Sequence, residues 1–169
     1  MRPDSSKKKG FTVVELMVSL AVAAILMSMA IPAFNEFIQQ RTMAARGNDF
    51  VLAVTYARSE AIRRGGIVSV QSGAGGGDWG SEGYCVVVGT PGNCNGDVLR
   101  SFDPMNDATL VGTGGFAGVA TLSFNGRGML NLGAAGAVEL CSTNPDVNPG
   151  RIVNVTLVGS PDANELECS

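Results

Sequence analysis

The chain has 169 residues, of which 45% are hydrophobic and 23 are glycine, a composition typical of a folded protein with many turns rather than a disordered one. Histidine is absent, so the commonest general base and the commonest metal ligand are both missing. From Gly65 onward three arginines face ten acids, a net charge of −7, which argues against a protein that binds nucleic acid through its phosphates.

The chain begins with a basic leader that runs into a long apolar segment. Residues 1–10 carry Arg2 and three lysines against Asp4, and the segment KKKGFTVVEL connects them to the apolar run. From Leu16 to Ala33 eighteen residues carry no charge, enough for a helix of about 27 Å, which is close to the thickness of a bilayer core. Because the lysines precede the apolar run, we expect the N-terminus to lie in the cytoplasm.

Three interpretations of the apolar segment differ in how well they explain Glu15, which lies at its start. A secretory signal could be cut after the small residues Ser28 and Ala30, but the run is longer than such signals have. A plain membrane anchor gives no role to an acid whose insertion costs about 2.5–3.5 kcal/mol at the membrane centre. Cleavage between Gly10 and Phe11 would instead create an α-amine on Phe11 that can pair with Glu15 of a neighbouring subunit.

The segment KKKG/FTVVE, followed by an apolar helix, resembles the leader of type IV prepilins in residue types, order and spacing. The resemblance implies that residues 1–10 are a removed leader. It also implies that a prepilin peptidase cuts between Gly10 and Phe11 and methylates the new N-terminus of Phe11. Glu15 is then an assembly residue that meets the N-terminus of the next subunit in a bundle of helices.

The helix is expected to continue beyond the apolar run and to end at Gly65-Gly66. Pro32 lies inside the helical pattern and predicts a kink. Beyond it, apolar residues recur at three- and four-residue steps, so we divide the helix into a membrane or filament-core half at 11–34 and an amphipathic half at 35–64. Its last segment, YARSEAIRRG, resembles the end of the first helix in the GspH/FimT/FimU family of minor pilins and pseudopilins.

Residues 65–169 change to short apolar runs separated by glycines and predict a β-rich globular head. A helix followed by antiparallel strands predicts an α+β fold of the type IV pilin kind, in which the long helix packs on an antiparallel β-sheet. The segments FNGRGML and PGRIVNVTLVG also resemble the head of the GspH/FimT/FimU family. The candidate strands are Ile67–Gln71, Gly83–Val88, Val98–Phe102, Thr121–Phe124, Val138–Cys141 and Arg151–Val158.

The head contains four cysteines, Cys85, Cys94, Cys141 and Cys168. No Cys-x-x-Cys motif argues for a metal, and export to an oxidising space favours disulfides, for which three connectivities are possible. We predict that Cys85 pairs with Cys94 and Cys141 with Cys168, because each bond then closes a short or moderate loop.

We expect no catalytic, cofactor or metal site in the head. The loop GAGGGDWG lacks the lysine and the following helix of a phosphate-binding loop, so it predicts a mobile connection, and its Trp79 is either core or a subunit contact. Catalysis would need an acid–base pair or an activated nucleophile, and nothing in the sequence places Asp103 and Asp107 beside a cleft, so they predict a solvated loop. No calcium-ligand spacing is present either.

The resemblance implies a minor pilin that joins other minor pilins and the major pilin in a tip complex supporting pilus assembly, twitching motility and adhesion. It would begin in the inner membrane with a periplasmic head and end in an extracellular pilus. The alternatives are a pseudopilin of type II secretion and, less favoured, a DNA-uptake pilin. Some DNA-uptake members carry a second arginine two positions after the first in the closing segment, whereas here Arg151 is followed by Ile152 and Val153. A local patch at Arg127 and Arg151 stays open as a DNA contact.

Overall fold

A computed structural model describes residues 10–73, 75–145 and 147–168, and at Pro32 and Ala33 only the backbone. Residue contacts divide the chain into two units, one ending at Phe37 and the other beginning at Ile38. In chain order the elements of the described residues are α1 (Val13–Arg64), β1 (Val68–Ser72), β2 (Tyr84–Val88), β3 (Val98–Phe102), β4 (Ala108–Gly114), β5 (Thr121–Phe124), β6 (Gly136–Ser142), β7 (Gly150–Val155) and β8 (Pro161–Leu166).

The helix α1 ends where the two glycines predict. Gly65 has a φ of 65°, a left-handed conformation that glycine adopts without strain. Its N–H donates to the carbonyl of Ile62 at 3.3 Å, and the N–H of Gly66 donates to the carbonyl of Ala61 at 3.2 Å. These two bonds form a Schellman motif, which satisfies carbonyls that the end of a helix would otherwise leave unpaired. The helix α1 continues through Pro32. The kink expected there stays a prediction.

The second half of α1 packs its apolar side against the head. Gly47 allows a close approach, because a Cβ at this position would stand 3.2 Å from the side chain of Arg151 on β7. Phe50 is fully buried and meets the ring of Tyr84 on β2 with the two centroids 5.4 Å apart. Other helix residues in the same core recur along one face of the helix and are Met43, Ala53, Val54, Ala57 and Ala61.

The head contains two four-stranded antiparallel sheets rather than the single sheet expected. One sheet has the strand order β3-β2-β1-β5 and the other the order β4-β6-β7-β8. Buried apolar side chains from both sheets and from α1 belong to one core cluster. The α+β class is confirmed, with a long N-terminal helix packed on antiparallel strands.

Two strands, β4 and β8, were not among the candidates. β4 alternates buried and exposed residues from Ala108 to Gly112, but it ends in glycines and a threonine that weaken the pattern. β8 has the sequence PDANEL, whose proline and two acids are uncommon in strands, so its sequence does not predict one. It lies at the edge of its sheet, where such residues are tolerated because one side of the strand needs no partner.

Candidate assembly site

The expected processing site lies just ahead of α1. Gly10 and Phe11 belong to no helix or strand, and Phe11 is 80% exposed. A Cβ on Gly10 would meet no other described atom within 4 Å. An accessible, irregular segment is the kind of chain that a peptidase can take into its active site. Leader residues 1–9 lie outside the described residues.

Thr12 and Glu15 form the first turn of α1. The N–H of Glu15 donates to Thr12 Oγ1 at 3.2 Å, and the N–H of Leu16 donates to the carbonyl of Thr12 at 3.2 Å, so Thr12 is the N-cap. Thr12 is missing from the residues predicted above, although the spacing Thr-x-x-Glu signals a capping box. The exposed Glu15 also lies where the helix dipole favours an acid. Glu15 therefore has a local position suited to starting the helix.

The part of α1 that belongs to the first unit, up to Phe37, presents apolar side chains on all sides. An eighteen-residue window of this helix has a mean hydropathy of 2.3, none of it is buried, and α1 is the one helix in the described part of the chain that is long and apolar enough to cross a membrane. A helix that is apolar all round needs lipid or other protein around it. The large side chains exposed in this unit are Phe11, Val13, Val14, Leu16, Met17, Val18, Leu20, Val22, Ile25, Leu26, Met27, Met29, Ile31, Phe34 and Phe37.

Two serines interrupt this apolar surface at little cost. Ser19 Oγ donates to the carbonyl of Glu15, and Ser28 Oγ donates to the carbonyl of Ile25, both at 2.7 Å. A hydroxyl bonded to the preceding turn of its own helix avoids the penalty of an unpaired polar group in an apolar surrounding. From Gly10 to Asn35, Glu15 is then the only charged side chain.

Both disulfides join the cysteines that are neighbours in sequence. Cys85 on β2 is bonded to Cys94 over a separation of 9 residues, and Cys141 on β6 is bonded to Cys168 over a separation of 27, with 5.9 Å between the Cα atoms in each pair. These are the two predicted pairs. The first bond fastens the loop that follows β2, and the second ties the chain beyond β8 back to β6.

Trp79 is a core residue, not a subunit contact. It is fully buried, its Nε1–H donates to the carbonyl of Val119 at 3.1 Å, and its ring meets Phe50 edge-on at 5.8 Å. Burial raises the pKa of the neighbouring Asp78, but hydrogen bonds led by that from the N–H of Gly80 outweigh it and leave the pKa below its ordinary value. The contacts of Trp79 and Asp78 thus fix the end of the loop GAGGGDWG, which was expected to be mobile.

Asp103 and Asp107 are exposed, as a solvated loop predicts, but both also line cavities, which was not expected. Asp103 lines a cavity of about 380 Å³ together with Arg46, Tyr84 and Arg100. Asp107 Oδ1 lies 2.6 Å from Arg46 Nη1, an ion pair by distance although the N–H is not aligned as a hydrogen bond. This pair fastens the loop to α1. Among the described residues, no group of three or more acids and cysteines is placed to hold a metal.

The last turn of α1 holds a carboxylate between two arginines. Glu60 is 8% exposed and accepts hydrogen bonds from Arg63 Nε at 2.9 Å and from Arg64 Nε at 2.9 Å. The bonds from Arg63 first, and then from Arg64, lower the pKa of Glu60 to about 2. Arg63 and Arg64, two of the three arginines in the segment YARSEAIRRG, are therefore engaged at the helix end.

Arg127 and Arg151 do not form one patch. Arg127 lies in a turn beside the end of α1, because a Cβ on the preceding Gly126 would stand 2.7 Å from the carbonyl carbon of Gly65. Arg151 lies beside Gly47 and pairs with Glu165 at 3.6 Å. The eighteen residues of helix from Gly47 to Gly65 correspond to about 27 Å. The two-arginine contact that the sequence left open is not assembled.

Two family profiles match this chain. One, described as Type II transport protein GspH, matches residues 46–160, and the other, described as Prokaryotic N-terminal methylation motif, matches residues 5–31. The chain belongs to the GspH family. The first match spans the packed half of α1 and most of the head, and the second covers the expected cleavage site, Thr12 and Glu15.

Solved structures share the fold of this GspH family member. Two crystal structures of the type IV minor pilin FimU of Pseudomonas aeruginosa match it with TM-scores of 0.62 and 0.59 at 22% and 23% identity. The matches cover 76% and 72% of this chain and 92% and 91% of the FimU chains. They show that the long helix packed on antiparallel sheets is the fold of a type IV pilin.

Curated relatives match over shorter stretches. Prepilin peptidase-dependent protein D of Escherichia coli (strain K12) is 31% identical over 70 residues, which are 41% of this chain and 48% of that protein. Type IV major fimbrial protein FimA of Dichelobacter nodosus (strain VCS1703A) is 32% identical over 90 residues, 51% of this chain and 55% of FimA. Another FimA of Dichelobacter nodosus is 50% identical over 42 residues, 25% of this chain and 26% of FimA. The chain spans about half the length of these relatives or less.

Proposed function

We propose that this GspH family member is a minor pilin of a type IV pilus, built with other minor pilins into a tip complex that starts or supports the filament. The observation that carries the proposal is the exposed apolar segment of α1, whose one charge is Glu15, four residues after Phe11. The methylation motif over residues 5–31 and the FimU-like fold support the same conclusion.

In this proposal the apolar segment has two successive environments. Before assembly it spans the inner membrane, with the basic leader on the cytoplasmic side and the head in the periplasm. A prepilin peptidase removes residues 1–10 and methylates Phe11. After assembly the segment is surrounded by the helices of neighbouring pilins, which bury the side chains that the single chain exposes.

Glu15 then positions each subunit against its neighbour. The cut leaves a positive α-amine on Phe11, and the carboxylate of Glu15 in a neighbouring subunit neutralises it inside the apolar bundle. An unpaired charge in such a place costs several kcal/mol, about 2.5–3.5 on insertion scales, so a subunit seated without its partner is disfavoured. The pair therefore sets the axial position of one helix against the next.

Mass spectrometry of filaments sheared from the cells that make the protein tests the proposal. We expect a peptide beginning at methylated Phe11, at low abundance relative to the major pilin. A mature N-terminus at Ile31, after a cut behind Ala30, would show a secreted protein and overturn the proposal.

A pseudopilin of type II secretion is the second candidate, favoured by the matching profile, which is described as Type II transport protein GspH. Its processing and helix chemistry would be the same. The two candidates differ in where the mature chain is found, because a pseudopilin stays in the cell envelope. The processed chain in the membrane fraction, with none in sheared filaments, would support this candidate and contradict the pilus.

A further inference from the structure

The turn between β7 and β8 exposes two apolar side chains. The N–H of Gly159 donates to the carbonyl of Thr156 at 2.8 Å, which places Leu157 and Val158 at the central positions of the turn. They are 44% and 55% exposed. Central turn positions ordinarily hold glycine, proline, asparagine, aspartate or serine. Leu157 and Val158 therefore do not favour the turn, and because they are exposed they add little to the core.

Two more exposed apolar side chains lie on adjoining segments. Met129 is 43% exposed, and the next N–H along the chain donates to the carbonyl of Leu157 at 3.0 Å. Ile62 is 49% exposed and lies against Gly128, where a Cβ would stand 2.6 Å from its Cδ1. Three segments thus meet at the C-terminal end of α1. Their exposed apolar residues, called the apolar end patch below, are Ile62, Met129, Leu157 and Val158.

Arginines lie on the segments that carry the apolar end patch. Arg63 and Arg64 stand in the last turn of α1, Arg127 is exposed in the adjacent turn, and Arg58 Nε donates to the carbonyl of Gly128 at 3.1 Å. The strands and loops after α1 carry three arginines against ten acids, and Arg127 is the one of the three at this end. Two acids lie among these arginines, because Glu60 pairs with Arg63 and Arg64 and Asp162 is exposed at the start of β8. The four arginines outnumber them, so this end of an otherwise acidic head is basic and apolar.

Exposed carboxylates lie at the other end of the packed half of α1. Asp107 pairs with Arg46 and Glu165 pairs with Arg151, and the two carboxylate side chains are still 62% and 68% exposed. Asp103 and Glu167 are also exposed. Asp103 lines a cavity with Arg46, and Glu167 accepts a hydrogen bond from Asn148, whose carbonyl accepts one from Gln40 of α1. A head with these two different ends can stack head to tail on another of its kind, since such contacts join unlike surfaces and continue along a filament.

We propose that the apolar end patch and its arginines dock onto the acidic side of the head of a neighbouring pilin-type subunit. The apolar side chains supply contact area that is costly to leave in water, and the arginines select a partner surface with carboxylates. The proposal rests on the proposed function, because it needs the chain to sit among other pilins.

Site-specific photo-crosslinking of the full chain in cells that make the protein tests this surface. A photoreactive residue at position 157 is expected to capture a pilin-type subunit through a carboxylate-containing peptide of its head. The same residue at Val111, 41% exposed on β4, is the matched control and should not give that product. A lipid, a nucleic acid or an unrelated protein captured at position 157 would overturn the proposal, as would no product beyond the control.

Substitutions test the same surface by incorporation into filaments. Leu157→Ser with Val158→Ser should lower incorporation about tenfold, and Arg127→Glu should act in the same direction, whereas Arg127→Lys and the control Val111→Thr should stay within about twofold. Because the changed residues are exposed, the melting temperature of the head should change little. Absence of the unchanged chain from filaments would overturn the proposed function. Equal incorporation of the unchanged chain and the Leu157 variant would overturn the docking surface alone.

Discussion

Removal of the disulfide between Cys141 and Cys168 is expected to destabilise the head more than removal of that between Cys85 and Cys94. A disulfide limits the entropy of the unfolded chain by an amount that grows with the logarithm of the loop length. The sequence separations are 27 and 9. They correspond to about 3.6 and about 2.6 kcal/mol, a difference of about 1 kcal/mol. Alanine at both positions of each pair avoids burying a hydroxyl at the fully buried Cys85.

Urea unfolding of the full chain in detergent measures these losses. The protein has one tryptophan, and Trp79 is fully buried in the head core, so its fluorescence reports the unfolding of the head. Each double alanine variant is compared with the unchanged chain under oxidising conditions, and the fully reduced chain should be less stable than either variant. If loss of the Cys85–Cys94 bond costs as much as loss of the longer-range bond, loop length does not control the stabilisation and the reasoning is wrong.

Three further predictions concern single side chains. Glu15→Ala should sharply reduce entry into filaments while the head keeps its melting temperature, and normal incorporation would contradict the pairing with Phe11. The pKa of Glu60 is depressed to about 2, so its stabilising contribution should be complete above its ordinary pKa of 4.5 and be lost as the pH falls towards 2. Melting curves across this range should show that the melting temperature of Glu60→Gln falls less with decreasing pH than that of the unchanged chain. An equal fall in both would assign the acid sensitivity to other groups. The hydroxyl of Tyr84 is buried without a hydrogen-bond partner among the described residues, and burial raises its pKa. Tyr84→Phe should therefore not lower the melting temperature. A decrease of more than about 1 kcal/mol in the free energy of unfolding would instead reveal a partner for the hydroxyl.

The helical part of the fold was predictable because its signals are local. Thr12 and Glu15 signal the N-terminal boundary, although our prediction did not use Thr12, and Gly65-Gly66 signals the C-terminal boundary. Each signal lies within one helical turn. Neighbour pairing of the cysteines also followed from loop length, which is a property of the chain alone.

The arrangement of the head could not be obtained in the same way. An edge strand such as β8 is recognised by its pairing with β7, not by its own polar sequence. The division into two sheets likewise depends on which strands meet across long sequence separations. Trp79 shows the same limit for a single residue, because a tryptophan in a glycine-rich loop suits both a core and a contact until Phe50 and Val119 are placed beside it.

The sequence by itself determined that this protein has a prepilin-type N-terminal methylation motif, a long helix with an apolar first half, and an acidic β-rich head. Each of these depends on residues close together in the chain. Only the tertiary structure decided that Arg127 and Arg151 stand apart, that Asp107 is fastened to Arg46, and that exposed apolar turns collect beside arginines at the end of α1. Those relations join residues distant in sequence, and packing alone brings them together or separates them.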